Sequence, residues 1–166
     1  MSTEDDFASF VHGTGAQLYR AALLLTGDHH QAEDLTQATF AKVFVSWRRV
    51  RRADNPVAYT RTILMNTFLS SKRLRRSSEL TIDVGPDDVP VPGIDPDARL
   101  DLLDALAALR PDDRLVLVAR YWEDRSVAET AHLLGISETA VRTRARRALA
   151  RIRPHFTDTV TEGTPS

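Results

Sequence analysis

The chain has 166 residues, of which 42% are hydrophobic and 27% charged; this ordinary globular balance excludes wholesale disorder and suits one medium domain or two small ones. It has no cysteine, which rules out disulfides, iron–sulfur clusters, thiolate zinc sites and a cysteine nucleophile; no apolar run approaches the ~18 residues of a membrane span, and the acidic start MSTEDDF is not a secretory signal, so the expectation is a soluble, cytoplasmic protein with no membrane insertion. The net charge of −1 conceals blocks of opposite sign, and these become visible only along the chain.

Residues 1–47 carry six acids against Arg20 and Lys42. Within them Phe7, Phe10, Val11, Thr14, Leu18, Ala21, Ala22 and Leu25 recur at three- and four-residue spacing, the stripe of an amphipathic helix. Gly27-Asp28 ends it. A second helix is predicted from about His29 to about Trp47, with Ala32, Leu35, Thr36, Thr39, Phe40, Val43 and Phe44 facing the core. Its opposite arc holds Asp34, Gln37, Ala38, Ala41 and Val45, small side chains beside an acid and an amide, flat enough for another helix to pack on. Trp47 shares the core arc.

Residues 48–76 carry nine bases against Asp54. Asn55-Pro56 predicts a third helix, with Asn as N-cap and Pro at the first helical position. Val57, Leu64, Met65, Phe68 and Leu69 form its buried arc; Tyr59, Asn66, Ser70 and Arg73 lie opposite, with Thr62 and Thr67 at the edges. An exposed aromatic, an amide, hydroxyls and a guanidinium suit splayed bases, which are read by stacking and by edge hydrogen bonds. Arg48, Arg49, Arg51 and Arg52 precede this helix, and Lys72, Arg73, Arg75 and Arg76 end it.

Residues 77–113 reverse the sign, with ten acids against Arg99 and Arg110. Ser77 to Asp95 holds Pro86, Pro90, Pro92, Gly85 and Gly93 and no apolar periodicity; it reads as a flexible acidic linker. Fully extended, such a segment reaches at most roughly 60 Å, and as a coil roughly 25 Å. Asp95-Pro96 then caps a helix carrying Leu102, Leu103, Leu106 and Leu109, and Pro111 opens another, with Asp112 and Asp113 where negative charge suits the helix dipole.

Ser126 to Arg153 carries the sharpest signal. Ser126 caps an eight-residue helix, Gly135-Ile136-Ser137 makes a three-residue turn, and an arginine-rich helix follows, which is the helix-turn-helix pattern. Gly135 supplies the left-handed backbone the turn needs, and Ile136 plugs the core. At 100° per residue, Val141, Ala145, Ala148, Leu149 and Ile152 face inward, while Thr139, Thr143, Arg146, Arg147 and Ala150 face outward. Six arginines and no acid over residues 139–153 mark a helix suited to a major groove, with short polar groups and arginines for bases and flanking Arg142, Arg144, Arg151 and Arg153 for phosphates. Pro154 is expected to end this helix near Arg153 and to open a disordered polar tail over 154–166. The fold class is therefore all-α: a three-helix domain (1–76) and a four-helix domain (96–153) joined by the linker 77–95.

His29, His30, Glu33 and Asp34 superficially match metal ligands at helical spacing. No His-Glu-x-x-His, P-loop or Gly-x-Ser-x-Gly accompanies them, and acids at a helix start are the plainer reading. No catalytic residue, cofactor or metal is assigned.

These pieces, in this order, resemble the extracytoplasmic-function sigma factors of the sigma-70 superfamily, the promoter-recognising subunits of bacterial RNA polymerase. Ala32 to Gln37 followed by Phe40 resembles the helix such factors dock on core polymerase. Asn55-Pro56, Tyr59, Ile63 and Asn66 resemble the −10 reading helix; Leu109-Arg110-Pro111, Arg120-Tyr121, Glu129-Thr130-Ala131 and Leu134 to Ser137 resemble the −35 module, in wording most like an actinobacterial sigma-E-like branch. The resemblance implies region 2 over 1–76, binding core polymerase through Asp34, Gln37, Ala38 and Ala41 and the −10 strand through Tyr59, Thr62, Asn66, Ser70 and Arg73. It implies region 4 over 96–153, binding −35 DNA through Ser137, Thr139, Arg142, Thr143, Arg146 and Arg147. It further implies core RNA polymerase, promoter DNA and, as is common in the family, an anti-sigma factor as partners, and a monomer outside such complexes. The chain departs from the family's usual residues at Ala38, at Ser70 and at Thr139-Ala140. From the residues alone, a helix-turn-helix regulator acting on duplex DNA without polymerase is the other reading.

Overall fold

The computed structural model describes residues 2–78 and 96–161, with side chains over 2–72 and 102–154. The chain divides into two compact units, Met1–Asp87 and Asp88–Ser166, and all regular structure among the described residues is helical.

In the first unit, α1 (Thr3–Thr26), α2 (His29–Val45), α3 (Trp47–Arg52) and α4 (Pro56–Ser78) follow one another. Local chemistry sets their ends. The Ser2 hydroxyl accepts from the Asp5 amide at 3.2 Å while the Asp5 carboxylate reaches back to Ser2, a capping box. Gly27 closes α1 at φ 70°, its N–H donating to the Leu23 carbonyl at 2.8 Å. Asp28 caps α2 through the His30 amide, and Asn55 caps α4 through the Ala58 amide at 3.1 Å. Leu18, Ala22, Leu25, Leu64, Met65 and Phe68 are buried where these helices pack. Among the described residues four buried threonine hydroxyls, on Thr39, Thr60, Thr67 and Thr130, are satisfied by donating to the carbonyl four residues earlier, at 2.7–2.8 Å. Thr67 thus belongs to the core rather than to the edge of an exposed face.

Two expectations for α2 change. The helix does not run on to Trp47 but breaks at Ser46 (φ −102°, ψ 20°), whose carbonyl accepts from the amides of Arg49 and Val50 as α3 restarts. The bend swings Trp47 into a cluster with Val43 and Val50, its ring 5.4 Å from Phe7 and 5.1 Å from Phe10. The same bend turns Phe44, expected in the core, to 54% exposure, although its ring still meets Phe7 at 5.0 Å. Burying the larger ring, at ~150–250 Å² of surface, outweighs helix continuity.

In the second unit, α5 (Pro96–Ala107) precedes α6 (Pro111–Leu117), which widens into a π-turn over Val118–Trp122; α7 (Val127–Leu134) and α8 (Glu138–Thr161) complete it. Leu115 to Ala119 are buried without interruption, so α6 is the central helix. Buried Arg114 donates to the carbonyls of Leu106 at 2.9 Å and Leu109 at 3.1 Å, satisfying groups that a helix end leaves unpaired; burial lowers its pKa from the ordinary arginine value. The last helix does not stop at Arg153. It continues through Pro154 to Thr161. Proline removes the amide that would pair with the carbonyl of Ala150, but Ala150 is exposed, so water can take that carbonyl and the helix survives. Of the linker expected over 77–95, residues 77 and 78 are helical and 79–95 lie outside the described residues, as do 162–166 of the expected tail.

Candidate nucleic-acid interface

On α8 the buried positions are Val141, Ala145 and Ala148. Val141 and Ala145 pack with Val116 and Ala131, and Ile136 closes this cluster from the turn. Gly135 adopts φ 65°, and the Ile136 amide donates to the Ala131 carbonyl at 3.1 Å, the Schellman closure that sets the angle between two helices. Ser126 caps α7 through the Glu129 amide at 3.0 Å, and Ser137 caps α8 through the Ala140 amide at 3.1 Å. With its inner arc fixed, α8 presents Ser137, Thr139, Arg142, Thr143, Arg146 and Arg147 on exposed positions. The Thr143 hydroxyl donates to the Thr139 carbonyl at 2.9 Å, which leaves its oxygen lone pairs as acceptors outward. Two basic side chains of α8 are also engaged with α6. Arg147 Nη2 donates to Asp113 Oδ1 at 2.9 Å, and Arg144 stands 3.9 Å from Asp112. The sequence placed both acids correctly in the first turn of α6 but carried no signal of their partners, because that pairing depends on how two helices cross.

The α4 face is less uniform. Asn66 and Ser70 are exposed, with the Ser70 hydroxyl donating to the Asn66 carbonyl at 2.9 Å; Thr62 is half-buried and donates to the Ala58 carbonyl. Tyr59 is a correction: it is half-buried against the Trp47 cluster rather than displayed. It lines a groove with Ala41, Val45, Ile63 and Asn66, and it also borders a depression rimmed by Arg48, Arg49 and Arg52. Tyr59 is therefore partly packed and partly exposed, beside cationic side chains. The side chain of Arg73 lies outside the described residues. Part of the basic block is used internally: Arg51 is 3.5 Å from Asp6, and Arg61 donates to Gln17 at 3.2 Å.

On α2, Asp34, Gln37, Ala38 and Ala41 are all exposed and, spaced three and four apart, share one face. Asp34 and Ala38 line a groove with Leu35, Phe68 and Lys72. At the end of this helix Val45 is 86% exposed. His29, at the helix start, pairs with the Tyr19 hydroxyl, which ties α1 to α2, and stands 3.8 Å from Glu33 one turn along its own helix.

Two family models match the chain: Sigma-70 region 2 over residues 10–78 and Sigma-70, region 4 over 99–152. The sequence is 33% identical over 149 residues to the RNA polymerase sigma-E factor of Streptomyces coelicolor, covering 89% of this chain and 84% of that one. It is 30% identical over 144 residues to the ECF RNA polymerase sigma factor SigL of Mycobacterium tuberculosis, covering 83% and 81%. Among solved structures it is similar to the sigma factor RpoE of Bartonella quintana, crystallised with the anti-sigma factor NepR, at 25% identity and a TM-score of 0.73, covering 92% of this chain and 97% of that one.

Proposed function

From membership of the extracytoplasmic-function (ECF) RNA polymerase sigma factors, the family to which this chain belongs, we propose how its residues divide the work of bringing core polymerase to a promoter and starting transcription there. The first unit, taken to span residues 1–76, holds core polymerase against the α2 face of Asp34, Gln37, Ala38 and Ala41. Its α4 face takes the unpaired −10 strand: the exposed part of Tyr59 stacks on a base, Asn66, Thr62 and Ser70 meet base edges, and Arg73 with the arginines before the helix meets phosphates. The second unit, over 96–153, lays α8 in the −35 major groove, with Thr139, Thr143, Arg146 and Arg147 toward bases and Ser137 and Arg142 toward the backbone. Residues 77–95 join the two as a linker, so that each contact raises the effective concentration of the other.

The observation that carries this reading is the exposed arginine-rich face of α8 over residues 139–153, a stretch with no acid, set on a helix-turn-helix whose Val141 and Ala145 pack against Val116 and Ala131. A solvated surface helix normally alternates signs. A helix-turn-helix regulator acting on duplex DNA without core polymerase is not favoured as the role, because the region 2 match spans 10–78.

In this reading the chain recognises and positions, the polymerase performs the chemistry, and no cofactor or metal takes part. It works in the cytoplasm, where polymerase and promoter are, and is a monomer outside its complexes. An anti-sigma factor is proposed as a further partner, by analogy with the Bartonella quintana relative crystallised with one. Run-off transcription with purified core enzyme and a promoter library tests the whole: template-specific transcripts that need the added chain are expected, and core enzyme giving the same transcripts without it contradicts the reading.

A further inference from the structure

Asp113 stands in the first turn of α6, where the unpaired amides of the helix start favour a negative charge. Its surroundings are otherwise unfavourable to a carboxylate. The side chain is 2% exposed, and Oδ2 has no hydrogen-bond partner among the described residues. Oδ1 accepts from Arg147 Nη2 at 2.9 Å, while the Arg147 side chain itself remains 49% exposed. One end of the pair is inside the unit and the other reaches solvent on the α8 face. The hydrogen bond to Asp113 first, and its charge second, hold Arg147 above the ordinary arginine pKa.

A guanidinium carries five N–H donors in a rigid planar fork. Donating one of them inward leaves the rest of the fork for a second acceptor. A phosphate at the surface cannot draw Arg147 away without leaving a buried carboxylate uncompensated, and removing one partner of a buried charge is strongly unfavourable. An arginine already clamped has also lost its rotamer freedom during folding, so it loses less on meeting DNA.

We propose that Asp113 is a positioning residue for −35 recognition: it holds Arg147 in one orientation, so that the outer N–H groups meet the DNA preformed. The proposal rests on the reading of α8 as the −35 helix. Its reach is from the centre of the unit to the groove through a single hydrogen bond.

The test uses holoenzyme reconstituted with bacterial core polymerase, bound to a promoter duplex that the wild type has selected from a randomised pool and to the same duplex with its −35 hexamer scrambled. Wild type, Asp113→Asn, Arg147→Lys and the double variant are compared. Asp113→Asn keeps the shape and an acceptor; Arg147→Lys keeps the charge and discards the fork. Each single change is expected to lower the preference for the selected duplex about 3–10-fold, and the double change no further than Arg147→Lys alone. The salt dependence on scrambled DNA is expected to stay unchanged. Costs that multiply in the double variant overturn the proposal, since Asp113 would then act elsewhere. Tighter binding to both duplexes with a salt slope steeper by about one also overturns it, because Asp113 would then be withholding Arg147 from phosphate. Side-chain ¹⁵Nε relaxation in the wild-type chain decides the matter without any variant: Arg147 is expected to be more rigid than Arg146, and equal mobility overturns the proposal. A wild-type holoenzyme indifferent to −35 scrambling defeats the −35 reading itself, and this inference with it.

Discussion

Thr143 and Arg146 lie three residues apart on the exposed arc of α8, and neither contributes to the cluster that packs beneath. Replacing Arg146 with Ala should therefore leave thermal stability and core-polymerase affinity intact while removing about 1–3 kcal/mol of discrimination at one −35 position; competition between duplexes that differ at single base pairs measures it. Parallel loss of stability would show instead that Arg146 supports the fold. Tyr59 is the opposite kind of residue, half in the Trp47 cluster and half in a groove. Tyr59→Phe keeps the ring and should reduce formation of the open complex less than threefold, whereas Tyr59→Ala removes a stacking surface worth about 1–3 kcal/mol along with core packing. Fluorescence of a base analogue in the −10 strand separates the two. Equal effects of both variants would mean that the hydroxyl, not the ring, is what matters.

At the scale of helices, Asp34 and Gln37 share one exposed face of α2, and changing both to Ala should weaken core polymerase binding roughly 5–30-fold, as loss of interface anchors does, without altering how the chain discriminates among −35 duplexes; a pull-down titration with core enzyme is the measurement. Phe68 is 1% exposed beneath the same helix, and Phe68→Ala should cost about 3–5 kcal/mol of stability, read from urea unfolding. Helix ends were the most legible part of this molecule. Asn55-Pro56, Ser126, Gly135 and Ser137 each announce a boundary by a local mechanism, capping or a left-handed turn, and each acts there in the structure. What could not be read was whatever depends on a distant neighbour. The break at Ser46 exists because Trp47 finds Phe7 and Phe10 on another helix, and the buried face of Tyr59 has the same origin. Pro154 misled for a different reason: its local penalty is real, yet at an exposed position it is small enough for α8 to continue. Of the candidate interface, the polar arc of α8 was legible from angle alone, while the tie between Arg147 and Asp113 was not.

For the whole molecule the essential feature is division. Two separately packed units each carry a basic block, and residues 77–113 between those blocks are acidic. An average charge near zero then coexists with two surfaces suited to a polyanion. The reading makes those surfaces act on one promoter at two places, so defects in them should be separable. Initiation measured with reconstituted holoenzyme on promoters altered at −10 alone, at −35 alone, or at both is the most direct test, using Asn66→Ala and Arg146→Ala. The account predicts that Arg146→Ala responds less to the −35 change, by about 1–3 kcal/mol, while keeping its full response to −10, and that Asn66→Ala does the reverse. If either variant loses its response to both elements equally, the two units do not read separate sites and the account is wrong.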